Sequence, residues 1–151
     1  MVEVEREEHL ARYVITDVRM PTKQDLDEDV EWIARCFGFL ETRDVKKTAA
    51  RIFSTLIYAA STDEGLTSDA LAERVGVTRG AIVHHLNKMM RSGLVIFHSG
   101  LYKLREKSVR RTVNEVERDL RRVLDKIEEV ASSIDEELSL PYRGSSQAAR
   151  A

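Results

Sequence analysis

Eight apolar residues near the C-terminal end of the chain recur at alternating spacings of four and three, and this repeat constrains the fold more than any other feature. They are Val109, Val113, Val116, Leu120, Val123, Ile127, Val130 and Ile134. This is the a/d pattern of a coiled coil, and it predicts one long helix over residues 106–138 with a continuous apolar seam. Leu124, Ala131 and Leu138 widen the seam along one side. Such a helix is about 48 Å long at 1.5 Å per residue, which exceeds the core of a small domain.

A monomer would leave most of this seam in contact with water. Each Val, Leu or Ile side chain contributes ~1.5–3 kcal/mol when it is fully buried, so we expect the eight residues to form the dimerisation interface of a homodimer. The alternative is that the long helix packs against the N-terminal helix of its own chain, through Trp32, Ile33 and Phe37. The repeat is compatible with parallel and with antiparallel packing of the two long helices.

The charges are distributed unevenly along the chain. The 151 residues have a formal net charge of -2, yet residues 74–111 carry nine Lys or Arg and a single acid, and no carboxylate lies between Glu73 and Glu106. Residues 1–44 carry twelve acids and six bases. A basic segment suits double-stranded DNA as a partner, because neutralising phosphates releases counterions. On charge alone, a solvated basic face is an equally good interpretation.

Several classes of protein are disfavoured by the composition. The single cysteine, Cys36, excludes an internal disulfide framework and a multi-cysteine zinc site. No run of 18 apolar residues is present and the N-terminus is acidic, so we expect neither a membrane span nor a signal peptide. We therefore expect a cytoplasmic protein. The chain lacks G-x-S-x-G, P-loop, G-x-G-x-x-G and H-E-x-x-H motifs, so we expect no enzyme and no cofactor.

The basic segment has a recognisable order of local structure. Residues 66–75 predict a short helix that Thr67 caps, and Gly76 follows in a position that suits a left-handed turn. Thr78 caps a second helix that runs to about Ser92. Residues 94–104 then change to β-branched and aromatic types around Ser99-Gly100, which predicts a hairpin. In this hairpin we expect Phe97 and Tyr102 to be core residues.

The pattern before residue 66 predicts two more helices. One begins after Asp25 as its N-cap and ends near Gly38, and the next begins near Asp44, with Val45 on its apolar face. Residues 13–15 have the composition of a short strand or of part of a helix.

The order helix, tight turn, helix, hairpin resembles the winged helix-turn-helix transcriptional regulators of the MarR and ArsR type. The resembling stretch is LTSDALAERVGVTRGAIVHHL (66–86), followed by Met89 and by residues 92–95, with Ala72, Gly76 and Ile82 at spacings of +4 and +10. The layout of the flanking segments is similar to that of GbsR-like regulators. The resemblance implies a mainly α fold with a small β-hairpin wing. A winged helix-turn-helix domain (44–105) would then lie between an N-terminal segment (1–43) and the dimerisation helix (106–138), followed by a disordered tail (139–151).

In this interpretation the helix from Thr78 to Ser92 is the recognition helix. Ile82, Leu86 and Met89 face the core, and the residues expected to contact DNA lie on the other side. They are Thr78, Arg79, Gly80, Val83, His84, Asn87, Lys88 and Arg91, with Lys103 and Arg105 at the hairpin base as phosphate contacts. Arg79 opposes the helix dipole, and Gly80 costs ~1 kcal/mol relative to alanine. Both choices make sense if this end enters a major groove, where Arg79 can reach guanine O6 and N7. The alternative is an ordinary solvated helix face.

The predicted function is sequence-specific DNA binding by a homodimer that occupies a roughly palindromic operator, most simply as a repressor. Two recognition helices would enter successive major grooves about 34 Å apart. The rival hypothesis is a winged-helix protein-interaction or assembly module, which needs no cations on this face. A metal sensor is disfavoured because His84 and His85 are adjacent and Cys36 stands alone. An unknown small-molecule effector could bind in a cavity between the dimer helices and the winged domain, but no residue of the sequence identifies a ligand.

Overall fold

The structure is a computed structural model and describes residues 11–41 and 43–141. The elements in these ranges are α1 (Leu26–Cys36), α2 (Thr48–Ala60), α3 (Ser68–Val75), α4 (Arg79–Arg91), β1 (Val95–His98), β2 (Leu101–Leu104) and α5 (Val109–Glu137). The prediction of a mainly helical fold with one β-hairpin and a long C-terminal helix is confirmed. No helix of the described ranges is long and apolar enough to cross a membrane. The tail predicted to be disordered lies outside the described residues from residue 142 onward.

Side-chain caps begin three of the helices where the sequence predicted them. The Asp25 carboxylate accepts a hydrogen bond from the backbone N–H of Asp27 at 2.9 Å. The hydroxyls of Thr67 and Thr78 accept from backbone N–H groups three residues later, at 3.1 and 3.2 Å. Gly76 has a φ of 76°, a left-handed conformation that glycine adopts without steric cost, and it ends α3. The tight turn between α3 and α4 therefore follows from local sequence.

The start of α2 differs from the prediction. The helix begins at Thr48 instead of near Asp44, and Lys47 before it has a left-handed backbone. The Asp44 carboxylate accepts a hydrogen bond from the backbone N–H of Ala49 at 3.1 Å, so it caps the helix from outside. Val45, predicted on the apolar face, is 87% exposed. The residues between Asp44 and Thr48 form the entry to the helix and do not pack in the core.

The core lies where α2, α3 and α4 meet. Its most deeply buried side chains are Ile52, Phe53, Leu56, Leu71, Ile82, Leu86, Met89 and Leu94. The Phe39 ring packs edge-on against Phe53, with centroids 5.4 Å apart. Side chains of this size contribute ~1.5–3 kcal/mol each when they are buried. The inward face predicted for the recognition helix is confirmed, because Ile82, Leu86 and Met89 are all 0% exposed.

The hairpin is antiparallel, with Val95 opposite Leu104, and it turns at Ser99-Gly100, both with positive φ. A third segment joins its inner edge, because the backbones of Leu66 and Tyr102 exchange two hydrogen bonds of 3.0 and 2.7 Å. Tyr102 is accordingly buried, as predicted, whereas the prediction for Phe97 is wrong, since it is 53% exposed. Phe97 lies on the outer strand and packs on the Tyr102 ring, with centroids 4.5 Å apart.

Residues 11–24 form neither a helix nor a strand, so the prediction for residues 13–15 is wrong. Backbone hydrogen bonds instead tie this segment to helix ends. The N–H of Arg12 donates to the carbonyl of Arg91 at 3.0 Å, and the N–H of Thr16 donates to the carbonyl of Cys36 at 2.8 Å. The Trp32 indole N–H donates to the carbonyl of Val18 at 3.1 Å. The segment therefore satisfies its backbone against the last turns of α1 and α4.

The chain divides into two compact units, the first ending at Val116 and the second beginning at Glu117. In the first unit Val116 is 1% exposed, and a Cβ atom on Gly93 would lie 3.5 Å from its Cγ2 atom. Thr112, also buried, accepts a hydrogen bond from the backbone N–H of Glu106 at 3.1 Å. The described second unit is the rest of α5 and a short exit. Its exposed apolar residues are Val123, Leu124, Ile127, Val130, Ile134, Leu138 and Leu140.

Candidate nucleic-acid interface

The outward face of α4 is polar and open. Of the eight predicted contact residues on this helix, six are exposed and two are half-buried. The exposed residues are Thr78, Arg79, Gly80, His84, Asn87 and Arg91, and the half-buried ones are Val83 and Lys88. The structure therefore brings the predicted helix residues to one surface, opposite the buried face. Lys103 and Arg105 lie on and just after β2, at the base of the hairpin and partly buried.

Gly80 lies in the first turn of α4 and has no packing role in the described structure. A Cβ atom built on it would meet nothing within 4 Å, and its backbone is not in the left-handed region. An alanine would therefore fit and would stabilise the helix by ~1 kcal/mol. The glycine leaves the backbone at this end of the helix open to a close approach from outside.

Four of the five predicted DNA-contacting cations have carboxylate partners within their own chain. The pairs are Lys88–Glu41 at 3.1 Å, Lys103–Asp63 at 3.4 Å, Arg79–Asp69 at 3.7 Å and Arg105–Glu115 at 3.9 Å. All four acids lie outside the stretch of sequence that lacks carboxylates. In the folded chain these four acids therefore place negative charge beside the predicted contact residues, although the surrounding stretch of sequence contains only basic charges.

Sequence reasoning missed these acids, and their positions explain why. Glu41 and Lys88 are 47 residues apart, and Asp63 and Lys103 are 40 apart, so no helical spacing connects them. The acid most easily related to its partner from the sequence is Asp69, which lies in the first turn of α3, the helix just before α4. Arg91 is exposed, and no ion pair joins its side chain to another of the described residues.

The Glu41–Lys88 pair is the shortest of the four and affects the titration of its acid. The hydrogen bond from Lys88 and its positive charge lower the pKa of Glu41. Desolvation opposes them, and the charges of Arg43 and His84 add smaller lowering effects. Glu41 is thus held ionised beside the last turns of α4. An exposed ion pair of this kind is weak, so the Glu41 carboxylate can be exchanged for another anion.

The two adjacent histidines of α4 have different surroundings. His84 is exposed, whereas His85 is half-buried, and its Nδ1 atom has no hydrogen-bond partner in the described structure. Burial lowers the pKa of His85, and the nearby Asp44 opposes this. The two rings have centroids 5.5 Å apart. Within residues 11–41 and 43–141, no group of three His, Cys, Asp or Glu side chains could hold a metal ion.

The hairpin tip is not cationic. Ser99 and Gly100 form the turn, and the exposed side chains beside them on β1 are Ile96, Phe97 and His98. The cations of the hairpin lie at its base, where Lys103 and Arg105 are paired with acids. Charged contacts from the hairpin to a polyanion would therefore come from its base.

An open cavity of about 290 Å³ lies beside the last turn of α4. Its walls include the cations Arg12, Lys88 and Arg91 and the aromatic rings of Phe37 and Phe39. The cavity is lined by both charged and apolar side chains, and no group within the described residues identifies a ligand for it.

A protein-family model described as a helix-turn-helix domain matches residues 46–96. The matched region contains α2, α3 and α4 and the first residues of β1, which is the part of the molecule with the buried core and the open helix face. No curated protein matches the chain. The match supports a helix-turn-helix transcription regulator.

Proposed function

Taking the helix-turn-helix domain of residues 46–96 as the premise, we propose that this chain is a sequence-specific DNA-binding transcriptional regulator that acts as a homodimer. The recognition helix is α4, and the protein represses transcription by occupying a roughly palindromic operator. The winged architecture and the long C-terminal helix support a regulator of the MarR or ArsR type, with a GbsR-like layout.

The observation that carries the proposal is the division of α4 into two faces. The inward face is fully buried and needs no further partner, while the outward face is polar and is open at its N-terminal end around Arg79 and Gly80. A helix can enter the major groove with its N-terminal residues against the base edges. There Arg79 donates to guanine O6 and N7, and Gly80 lets the backbone come close.

The remaining cations fit a backbone-positioning role. Lys88 and Arg91 lie toward the C-terminal end of α4, and Lys103 and Arg105 lie at the hairpin base. Contacts to phosphate fix the register of a protein on a duplex without reading sequence. Specificity in this proposal comes from the first half of α4, and most of the salt-dependent affinity comes from these four residues.

The exposed seam of the second unit supports self-association. Val123, Ile127, Val130 and Ile134 are between 40% and 61% exposed, and Leu124 and Leu138 extend the same stripe. A second copy of the chain presents the identical stripe, which suits a two-fold interface. Because Val116 is covered within its own unit, the proposed interface is formed by the later part of the repeat.

An electrophoretic shift assay with genomic fragments at low salt tests the proposal. We expect retarded fragments that share a roughly palindromic sequence, with affinity that falls steeply as salt is raised. The rival function is a protein-interaction module. It is supported by the four cations that pair with carboxylates, because these acids make the candidate interface less basic than the sequence alone indicates. Absence of retarded fragments at low salt, for a protein that is folded by circular dichroism, would favour that rival.

A further inference from the structure

The C-terminal end of α4 is contacted by residues that precede the helix-turn-helix region. The backbone of Arg12 donates a hydrogen bond to the carbonyl of Arg91 at 3.0 Å. A ring carbon of Tyr13 lies 3.7 Å from the point where a Cβ atom on Gly93 would be. The carboxylate of Glu41 lies 3.1 Å from the ammonium of Lys88. The N-terminal part of the chain thus contacts this end of α4 through a backbone hydrogen bond and an ion pair, and the Tyr13 ring lies beside Gly93, just beyond the helix.

The ionic contact uses the group that a DNA phosphate would use. The Lys88 side chain is 33% exposed and that of Glu41 is 56% exposed, so solvent and an incoming phosphate can reach the pair. A carboxylate and a phosphate are both anionic oxygen acceptors for an ammonium group. Lys88 lies in the last turn of α4, within one helical turn of the exposed Arg91, so a phosphate near one can also contact the other.

We propose that Glu41 is an intramolecular competitor of DNA for Lys88, so that duplex binding requires the exchange of the Glu41 carboxylate for a backbone phosphate. The N-terminal segment then limits the affinity of the recognition helix for any duplex. This inference rests on the proposed function, and it assigns to Glu41 a role that lies outside the helix-turn-helix region of residues 46–96.

The test is a double-mutant cycle on duplex affinity in the full chain. Glu41→Gln keeps the size of the side chain but removes its charge, so we expect about two- to fivefold tighter binding to a fixed duplex at low salt. The gain should shrink as salt is raised, because exposed pairs are screened. In a Lys88→Met background, Glu41→Gln should raise duplex affinity no more than the control substitution described below, because Glu41 then has no ammonium group to pair with.

The matched control is Glu73→Gln. Glu73 is exposed on α3, and no ion pair joins it to another of the described residues, so the variant changes the net charge equally without freeing a cation. Glu41→Asp is a second test, because it keeps the charge but shortens the side chain that reaches Lys88. Its gain in duplex affinity should be smaller than that of Glu41→Gln. Thermal unfolding of each variant verifies that the fold is intact.

The possible results separate this inference from the proposed function. Equal gains from Glu41→Gln and Glu73→Gln, or a gain that persists with Lys88→Met, would overturn the competitor role while leaving DNA binding in place. A wild-type chain and a folded Glu41→Gln variant that both fail to bind any duplex would overturn the proposed function itself. Binding by Glu41→Gln at concentrations where the wild type does not bind would support the competitor role most strongly.

Discussion

Helix α4, the proposed recognition helix, and the part of α5 beyond Val116 are both amphipathic, but the structure leaves opposite faces of the two helices uncovered. In α4 the apolar residues Ile82, Leu86 and Met89 are completely buried and the polar side is open. In α5 beyond Glu117 the apolar residues are open, with Ile127 58% and Val130 61% exposed. A helix with a filled apolar side folds without a partner, and its open side is available for a ligand. A helix with an open apolar side needs a partner to bury it.

The same contrast occurs within α5 itself. Val116 and Val130 occupy the same position of the heptad repeat, yet Val116 is 1% exposed. Val116 lies in the first unit beside Gly93, whereas Val130 lies in the second unit, with its side chain open to solvent. The repeat therefore identifies the apolar side of the helix, and the three-dimensional structure determines which part of that side is already used.

The largest effect is expected from a charge placed in the open apolar face. Ile127→Asp puts a carboxylate into the proposed interface twice per dimer, so we expect at least a hundredfold weaker self-association. Sedimentation equilibrium measures the change. Ser132→Asp, on the opposite side of α5, is the matched control and should leave the dimer intact. A persisting dimer in Ile127→Asp would mean that the two copies associate through another surface.

The polar face of α4 is tested next. Arg79→Ala combined with Lys88→Ala should weaken specific duplex binding at least tenfold while leaving the fold intact, because it removes one base-reading and one phosphate-binding cation. The control pair Lys23→Ala and Arg121→Ala removes the same charge from exposed positions elsewhere. Fluorescence anisotropy with a labelled duplex measures both variants. Equal affinities for the two would show that this face of α4 is not the docking surface.

A pair of valine substitutions sharpens the contrast within α5. Val116→Ala should lower the free energy of unfolding by roughly 1–3 kcal/mol at every protein concentration, because its side chain packs within its own unit. Val130→Ala should lower stability only through self-association, and therefore by an amount that changes with protein concentration. Urea unfolding at two concentrations separates them. A concentration-independent loss for Val130→Ala would contradict the interpretation of the open face.

The smallest effect on the fold is expected from a substitution of Gly80. Here stability and duplex affinity should change in opposite directions. Gly80→Ala should raise the free energy of unfolding by up to ~1 kcal/mol, because the new methyl group meets nothing within 4 Å. Duplex affinity should fall at the same time if the backbone approaches DNA at this point. Glu73→Ala on α3, which also improves helix propensity at an exposed site, is the control and should not lose affinity. Unchanged affinity in Gly80→Ala would place the duplex away from the first turn of α4.

The features of the fold that the sequence predicted are those that local interactions determine. The caps at Thr67 and Thr78, the left-handed Gly76 and the inward positions of Ile82 and Leu86 all depend on residues within a few positions of each other. These interactions leave their pattern in a short stretch of sequence, so the order helix, turn, helix and the start of α4 were predictable.

The features that were missed depend on distant contacts. Tyr102 is buried and Phe97 is not, because Leu66 joins the sheet on the Tyr102 side from more than thirty residues away. The carboxylates opposite the cations proposed to contact DNA come from Glu41, Asp63 and other positions that no local periodicity relates to their partners. The cations of the candidate interface could therefore be predicted from the sequence. Their acidic partners could be identified only in the structure.

Gly93 has a consequence for how the sequence can change over evolutionary time. Its left-handed backbone disfavours any side chain, and a Cβ atom there would lie 3.3 Å from the Arg105 guanidinium and 3.5 Å from Val116. The residue that follows the end of α4 thus lies close to the first turns of α5. Because the left-handed backbone strains any side chain at position 93 whatever the space around it, this position is expected to remain glycine in descendants of this chain even where the residue at position 116 becomes smaller.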